Sequence, residues 1–320
     1  MIVRWGLQEL EALLVELGIG RPFLIASDRW MDLPLPSAGR WSEVPTDRIA
    51  EVAAEAARAD GLLAVGGGSA IDLAKAVSAE TGLPVVSVPT TYSGAEWTDF
   101  FGVRDPDRRM RGGGSGPQPV GIVYEPRLTL DLPREESGGT ALNALSHCAE
   151  ALYVAGHNAD GDRHALEGAR VIGQALPRVL ENGGDLEARI ALLEGAQHAG
   201  AALASAGLAL GHAMAQALGG RYGIAHGAAN ALCLPPALRF NEPVAAAEIE
   251  RFGEALGAES PAARVEELAG ASGFGRLRHL DVPADELDEV AEATAVRAGA
   301  KANPRPATPA QIAELLRAIW

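Results

Sequence analysis

The first third of the chain alternates between helical and strand-like patterns of apolar residues. Apolar positions recur at helical spacing in "LQELEALLVELG" and in "TDRIAEVAAEAARADG", where Thr46 is the expected N-cap. Short apolar runs stand between and after these segments, namely "PFLIAS", "LLAV", "VVSVPTT" and "GIVYEP". Strands that alternate with helices predict βαβ units and therefore a parallel sheet.

The pattern changes beyond the last of these runs. Residues 104–119, "RDPDRRMRGGGSGPQP", are polar and rich in glycine and proline, which predicts a loop over a site with no regular structure of its own. Near residue 134 long Ala/Leu/Glu segments begin, and strand signals become few. We therefore expect an α/β domain at 1–133 and an all-helical domain at 134–320.

One segment has the length and apolar character of a membrane span. Residues 199–220, "AGAALASAGLALGHAMAQALGG", contain no formally charged side chain. The segment is mostly alanine and glycine, which gain little from lipid, and it contains His212 and Gln216. The composition favours a helix buried in a protein core.

Composition and charge narrow the classes of partner. The 320 residues carry a formal net charge of −15 and a pI near 4.9, which argues against nucleic acid or an anionic membrane as the main partner. Two cysteines, Cys148 and Cys233, give no disulfide framework. The start, "MIVRWGLQELEALL", lacks the features of a secretory signal, so we expect a cytoplasmic protein.

A glycine-rich turn carries the first candidate chemistry. In "LLAVGGGSAIDLAK" the residues Gly66, Gly67, Gly68 and Ser69 lie between a predicted strand and a predicted helix. Glycines let a backbone approach a pyrophosphate, and a helix N-terminus offers amide donors and a positive dipole end. The segment differs from the G-x-G-x-x-G fingerprint. The alternative is a tight turn that binds no ligand.

Polar residues follow two other predicted strands. Asp28 ends "LIASD", where a carboxylate can accept hydrogen bonds from a ribose diol and repel a 2′-phosphate. An exposed loop aspartate is the alternative. The hydroxyls of Thr90, Thr91, Ser93 and Thr98 in "PTTYSGAEWT" suit contacts with a phosphate or a nicotinamide amide, although turns favour the same residue types.

The predicted helical domain contains an amide and three histidines. Asn143 and His147 are four residues apart in "NALSHCAEALY", so a helix would direct both side chains to one side. His212 and His226 flank "AMAQALGGRYGIA", whose Gly-Gly pair we expect to break the helix and return His226 toward His212. Three imidazoles and an amide oxygen suit a divalent transition metal. Alternatively, these are buried histidines bonded to carbonyl groups.

Taken together, these stretches resemble the iron-containing alcohol dehydrogenase family, and most closely its maleylacetate reductase branch. The resemblance runs nearly end to end, through "GGGSAIDLAKA", "VPTTYSGAEWT", "IVYEP", "NALSHCAEALY", "GHAMAQALGG", "AHGAANALCLP" and "NPRPATPAQIAELLRAIW". It implies a nucleotide-binding α/β domain, an all-helical domain, a site in the cleft between them and a homodimer. It also implies hydride transfer from a nicotinamide cofactor.

The resemblance assigns roles to individual residues. The cofactor positions are Asp28, Gly66, Gly67, Gly68, Ser69, Asp72, Thr90, Thr91, Ser93 and Thr98. The positions for an iron or zinc ion are Asn143, His147, His212 and His226. Metal-dependent members usually carry aspartate where this chain has Asn143, whereas maleylacetate reductases resemble it in carrying asparagine. An amide lacks the negative charge of a carboxylate, so we expect metal to bind weakly or not at all.

The chain departs from the branch at further positions. The resemblance implies that members of the branch carry histidine at the positions of Gly211 and Gln216 in this chain, and often at the position of Pro236. A glutamine forms hydrogen bonds but cannot shuttle a proton near neutral pH. The hypothesised catalytic side chains are His147, His212, His226, Gln216 and Arg239. Arg239 and Arg221 are the cations nearest in sequence for a dicarboxylate substrate.

The leading hypothesis is an NAD(H)-dependent reductase that acts on a small ketone, aldehyde or oxo-enoate. Asp28 predicts a preference for NADH over NADPH, because a carboxylate opposes a phosphate dianion. The alternative is a non-redox relative, such as a dehydroquinate synthase-like enzyme, that keeps the cofactor and has altered chemistry.

Overall fold

The computed structural model describes residues 1–320, and the chain divides into two compact units, Met1–Thr129 and Leu130–Trp320. The division falls four residues before the boundary expected from the sequence. The first unit is an α/β unit and the second is all-helical, so the predicted fold class is confirmed.

Unit 1 is built on a six-stranded parallel sheet, whose strands are β1 (Ile2–Trp5), β2 (Pro22–Ile25), β3 (Gly39–Trp41), β4 (Gly61–Gly66), β5 (Val85–Pro89) and β8 (Gly121–Tyr124). The strand order in the sheet is β1-β8-β5-β4-β2-β3. Its helices are α1 (Leu10–Glu16), α2 (Ile49–Glu55) and α3 (Gly68–Thr81).

The sheet is covered on both faces, which explains why its central strands are apolar throughout. In β4, Leu62 and Ala64 belong to one core cluster, whereas Leu63 and Val65 belong to another. Successive side chains of a strand point to opposite faces, so a strand between two cores has no polar position. The α2 helix begins without a side-chain cap, contrary to the expectation for Thr46. The N-cap position is Arg48, and Thr46, two residues earlier, accepts a hydrogen bond from the Arg48 N–H instead.

The glycine-rich stretch at 104–119 contains regular structure, so the predicted unstructured loop is wrong. Strands β6 (Phe100–Arg104) and β7 (Met110–Ser115) form an antiparallel hairpin with an irregularity between Val103 and Arg104. All six side-chain positions of β7 are exposed, so this strand shows no apolar alternation for the sequence to reveal.

Unit 2 consists of helices around an apolar core. The helices are α4 (Arg134–Ala151), α5 (Ala159–Glu181), α6 (Leu186–Ala206), α7 (Leu210–Tyr222), α8 (His226–Leu256), α9 (Pro261–Ala271), α10 (Leu287–Ala295), α11 (Ala298–Ala302) and α12 (Pro309–Ala318). The core joins side chains of α7, α8, α10 and α12, with Met214, Leu218 and Leu316 fully buried.

The uncharged segment 199–220 is divided between two helices. α6 ends at Ala206, α7 begins at Leu210, and the two helices meet at an angle of 101°. No helix alone has the length and apolar composition needed to cross a membrane, although this bent pair meets the criterion jointly. The Gly-Gly pair does not break α7, contrary to prediction. The helix ends at Tyr222, and the φ of 70° at the next residue, Gly223, suits a glycine C-cap.

Candidate active-site residues

The glycine-rich turn of unit 1 has the local geometry of a phosphate-binding loop. β4 ends at Gly66, and α3, a helix of 14 residues, begins at Gly68. A Cβ added to Gly67 would lie 2.9 Å from Thr91 Cγ2, and one added to Gly68 would lie 3.3 Å from Ser93 Oγ. The turn therefore packs directly against the segment after β5, and side chains would fill that space. The backbone amides of the turn and the start of α3 are a suitable site for a pyrophosphate.

The threonines after β5 stand next to this turn. The backbone N–H of Thr90 donates to the Gly66 carbonyl at 3.0 Å. Thr91 Oγ1 is buried and has no hydrogen-bond partner. Buried hydroxyls normally have partners, so an unpaired one beside a glycine turn fits a site that a ligand completes. Ser69 opens α3 and is half-buried.

Two of the predicted cofactor residues have structural partners. Asp72 forms an ion pair with the fully buried Lys75 at 2.9 Å and accepts from the Gly102 N–H at 3.1 Å. Lys75 Nζ also donates to Thr98 Oγ1 and to the carbonyls of Ala95 and Phe100. Asp72 and Thr98 thus help to fasten the β6–β7 hairpin to α3. Asp28 follows β2 as the first residue of a short 3₁₀ helix and is exposed.

In unit 2 a close helix crossing brings the polar residues together. A Cβ on Gly227 would lie 2.4 Å from the carbonyl carbon of Gly139, so only glycine fits at this crossing of α4 and α8. Asn143 lies one turn beyond Gly139, and His226 begins α8 beside Gly227. The crossing therefore sets Asn143 against the first turn of α8.

The three histidines predicted as a cluster lie together with Asn143. The ring centroids of His147 and His212 are 4.7 Å apart in a stacked arrangement, and those of His212 and His226 are 5.7 Å apart. His212 Nε2 lies 3.3 Å from Asn143 Oδ1. His147 is buried, and its Nδ1 has no hydrogen-bond partner. Burial, with the neighbouring His212 and His226, holds the pKa of His147 well below its usual range.

Two further polar side chains complete this group, and sequence reasoning missed both. Glu150 is fully buried, and its Oε2 accepts from His212 Nδ1 at 2.8 Å. Asn230 Nδ2 donates to Asn143 Oδ1 at 2.8 Å and lies 3.1 Å from His226 Nε2. The spacing of Asn143, His147 and Glu150 contained a signal, because residues i, i+4 and i+7 share one face of a helix. Acidic side chains are rarely fully buried without a partner, so a carboxylate on the face that carries Asn143 and His147 indicates a polar contact there.

Gly211 has a steric role beside this carboxylate. A Cβ at this position would lie 2.9 Å from Glu150 Oε1, so a larger residue would displace the carboxylate. Glu150 accepts hydrogen bonds from the backbone N–H groups of Ala209 and His212 at the start of α7. Gly211 therefore leaves room for an acceptor that both caps α7 and contacts the His212 ring.

The remaining predicted residues lie at differing distances from the histidines. Gln216 is half-buried, one turn after His212 on α7. Arg239 is not part of the cluster: it lies 13 residues after His226 on α8, about 20 Å of helical rise away. Its guanidinium is exposed and forms two hydrogen bonds of 2.7 Å with Glu266. Arg221 is likewise paired, with Glu286 and Glu289.

The donor set of the cluster can accept a metal ion only if the amide takes part. No group of three or more histidine, cysteine, aspartate or glutamate side chains is arranged to hold a metal ion. His212 Nε2 and Asn143 Oδ1, however, are 3.3 Å apart, and two ligand atoms on one tetrahedral ion lie roughly 3.4 Å apart at bond lengths near 2.0–2.1 Å. A carboxylate that binds the other nitrogen of a ligating histidine is usual at metal sites, and Glu150 provides it.

Comparisons with known proteins identify the family. Residues 138–320 match the C-terminal model of the Fe-containing alcohol dehydrogenase family, and residues 40–119 match the iron-containing alcohol dehydrogenase model. A maleylacetate reductase of Burkholderia cepacia is 38% identical over 82% of this chain and 75% of that protein. One from Sphingobium indicum is 36% identical over 97% of this chain and 84% of that protein.

A solved structure agrees with this result. The iron-containing alcohol dehydrogenase of Corynebacterium glutamicum is 30% identical, covers 100% of this chain and 94% of its own, and superposes with a TM-score of 0.91. The family models and the relatives both match the segment that contains Asn143 and the three histidines. The chain belongs to the iron-containing alcohol dehydrogenase family, in its maleylacetate reductase branch, and is an NAD(H)-dependent oxidoreductase.

Proposed function

We propose that this oxidoreductase uses NADH to transfer hydride to an electrophilic carbon of a small oxo-enoate of the maleylacetate type, or of a related ketone or aldehyde. The observation that supports the reaction is the group of Asn143, His147, His212 and His226, in which the first three side chains are buried and His226 is half-buried. The matched relatives are maleylacetate reductases, which supports the substrate class.

In this proposal unit 1 binds the cofactor, and unit 2 stabilises the reacting oxygen of the substrate. The glycine turn 66–68, the start of α3 and Thr91 bind the cofactor phosphates through backbone amides and a hydroxyl. Asp28 binds the ribose diol. A bound nicotinamide cofactor would supply the hydride, and the negative charge of the product would develop on the carbonyl oxygen of the substrate. The histidine cluster of unit 2 stabilises that oxygen in surroundings of low polarity, where such interactions are strong.

His147, His212, His226 and Asn143 would also hold a divalent ion such as iron or zinc. When bound, such an ion polarises a carbonyl oxygen as a Lewis acid. None of the four side chains is an anionic ligand, and Glu150 is the carboxylate that contacts the set. We propose that affinity for the ion is lower than in a site with an aspartate ligand, because none of the side chains that would touch the ion carries a negative charge.

The test is steady-state oxidation of NADH by the purified protein with maleylacetate and a panel of small aldehydes. We expect turnover with maleylacetate, and a loss of at least a hundredfold in kcat for His226→Ala. Binding of NADH without turnover on any compound of the panel would contradict the proposal.

A further inference from the structure

The orientation of the Asn143 amide is fixed by two successive hydrogen bonds, the first of which Asn230 donates to a backbone carbonyl. Asn230 Nδ2 lies 3.2 Å from the carbonyl oxygen of His226, which can only accept, so this atom of Asn230 must be the nitrogen. The same nitrogen lies 2.8 Å from the Asn143 side chain and donates to it. The atom of Asn143 at that position must therefore be the oxygen.

The protonation of the His212 ring is fixed in a similar way. The carboxylate of Glu150 can only accept, and its Oε2 lies 2.8 Å from His212 Nδ1. Its two oxygens also accept from the backbone N–H groups of Ala209, at 2.7 Å, and His212, at 3.1 Å. The ring proton therefore lies on Nδ1, and in the neutral ring Nε2 presents a lone pair.

These two constraints leave a pair of acceptors facing each other. His212 Nε2 and Asn143 Oδ1 are 3.3 Å apart, and both residues are at most 3% exposed. Two electron-pair donors at this distance in a buried site repel each other, whereas a cation between them would be bound by both. Every atom that produces this pair belongs to unit 2. The two side chains that orient it, Glu150 and Asn230, were not among the site residues predicted from the sequence.

We infer that Glu150 and Asn230 are positioning residues, which hold His212 Nε2 and Asn143 Oδ1 as a converging pair of donors for a divalent cation. The inference deepens the proposed function, on which it rests, because it explains how a site with an amide in place of a carboxylate keeps a defined donor geometry.

The first experiment reads the His212 tautomer directly. Long-range ¹H–¹⁵N correlation spectra of the metal-free, ¹⁵N-histidine-labelled protein are assigned with the variant His212→Gln. We expect the proton of His212 on Nδ1 in the wild type. Glu150→Gln offers an N–H in place of one oxygen, so part of the population should move to the Nε2–H tautomer. Asn230→Leu should leave the tautomer unchanged, because it acts on Asn143.

The second experiment measures cation binding without cofactor or substrate. Metal-free protein is titrated with Co²⁺, followed by its visible absorption. Glu150→Gln and Asn230→Leu should each raise the Kd by roughly tenfold, the lower end of the effect of outer-shell partners. The control is Ser146→Ala, a buried position on α4 whose hydroxyl bonds only the Leu142 carbonyl. It should alter neither readout.

Three results would overturn the inference: a wild-type His212 proton on Nε2, no Co²⁺ binding by the wild type at millimolar concentration, or Kd values of both variants within twofold of the wild type. Neither readout requires turnover. Failure of the proposed substrate would therefore leave the inference standing, and failure of the inference would leave NADH oxidation as the separate test of function.

Discussion

At the scale of single residues, the replacement of a carboxylate by an amide defines the candidate site. Asn143 Oδ1 accepts from Asn230 and faces His212, so an amide fits the existing hydrogen bonds. An aspartate would keep an oxygen at this position and add a charge. The difference between the two residues is therefore electrostatic more than steric, and it can be measured.

We predict that Asn143→Asp tightens the binding of Zn²⁺ to the metal-free protein by at least tenfold, or about 1.4 kcal/mol. The measurement is titration of the apo protein, with elemental analysis of the protein as purified. The control is Asn158→Asp, which adds the same charge at the N-cap of α5. A full equivalent of tightly held metal in the unmodified protein would show that the Asn143 amide does not weaken metal binding.

The second residue-scale prediction concerns Asp28 and the choice of cofactor. We expect higher kcat/KM with NADH than with NADPH, because the carboxylate opposes the 2′-phosphate. Asp28→Ser should lower the ratio of kcat/KM with NADH to kcat/KM with NADPH about tenfold, since roughly 1.4 kcal/mol of repulsion is removed. Most of this change should be a higher kcat/KM with NADPH. Asp32→Ser, at another exposed position after β2, is the control. Equal efficiency with both cofactors in the wild type would refute the role of Asp28.

At the scale of elements, a buried lysine decides where the β6–β7 hairpin lies. Lys75 is fully buried on α3, pairs with Asp72 and donates to three oxygens of the segment 95–100. A buried charge is tolerated only with such partners, so the hairpin and α3 depend on each other. The hairpin strand β7 buries no side chain of its own.

We therefore predict that Lys75→Met lowers the free energy of unfolding by about 3 kcal/mol, because it leaves Asp72 and two carbonyls without their donor. Urea denaturation measures the effect, and limited proteolysis should cut within 104–110 earlier than in the wild type. Lys301→Met, at an exposed position, is the matched control. Unchanged stability of Lys75→Met would contradict the anchoring role.

A second element-scale prediction concerns α5 and α6. His164 Nδ1 and His198 Nδ1 lie 2.9 Å apart, so one ring must donate and the other accept. Burial lowers the pKa of both rings; Arg163 contributes at His164, and the His164 charge contributes at His198. A histidine whose folded pKa is depressed binds more protons when unfolded. Its contribution to stability is therefore present above the unfolded pKa and is lost as the pH falls.

The wild type should lose on the order of 1 kcal/mol of stability between pH 7 and pH 5 through this pair, a value reduced for the partial exposure of both rings. His198→Gln should reduce the loss of stability between pH 7 and pH 5, since only one ring remains to be protonated. Denaturant midpoints at several pH values provide the measurement. The control His279→Gln, at an exposed position, should keep the wild-type slope. An identical slope in His198→Gln would exclude the pair as the cause.

At the scale of the whole molecule, the chain carries a net charge of −15. Family resemblance implies a homodimer, and we expect sedimentation equilibrium at micromolar concentration to give twice the chain mass of 33.1 kDa. Because two acidic protomers repel each other, dissociation should be easier at low ionic strength. A monomer at micromolar concentration and 0.15 M salt would refute the expectation.

The sequence by itself determined four of the six strands of the sheet, β2, β4, β5 and β8, and the helical class of the second unit. Both follow from local periodicity, since a strand buried on both faces and an amphipathic helix have distinct patterns. It also determined which motifs carry chemistry, because a glycine turn after a strand and an amide one helical turn before a histidine are short-range signals. These signals led to the glycine turn and to the pairing of Asn143 with the histidines.

Only the tertiary structure decided which polar groups meet. The hairpin at 100–115 has no apolar alternation in β7 and depends on Lys75, which lies 25 residues before Phe100 in the chain. Arg239 and Gln216 were equally good candidates by sequence, but the long helix α8 carries Arg239 away to Glu266. Glu150 and Asn230 reach the histidines because glycines at 139, 211 and 227 allow close approach. Contacts between distant segments leave no periodic trace, so no local pattern could reveal them.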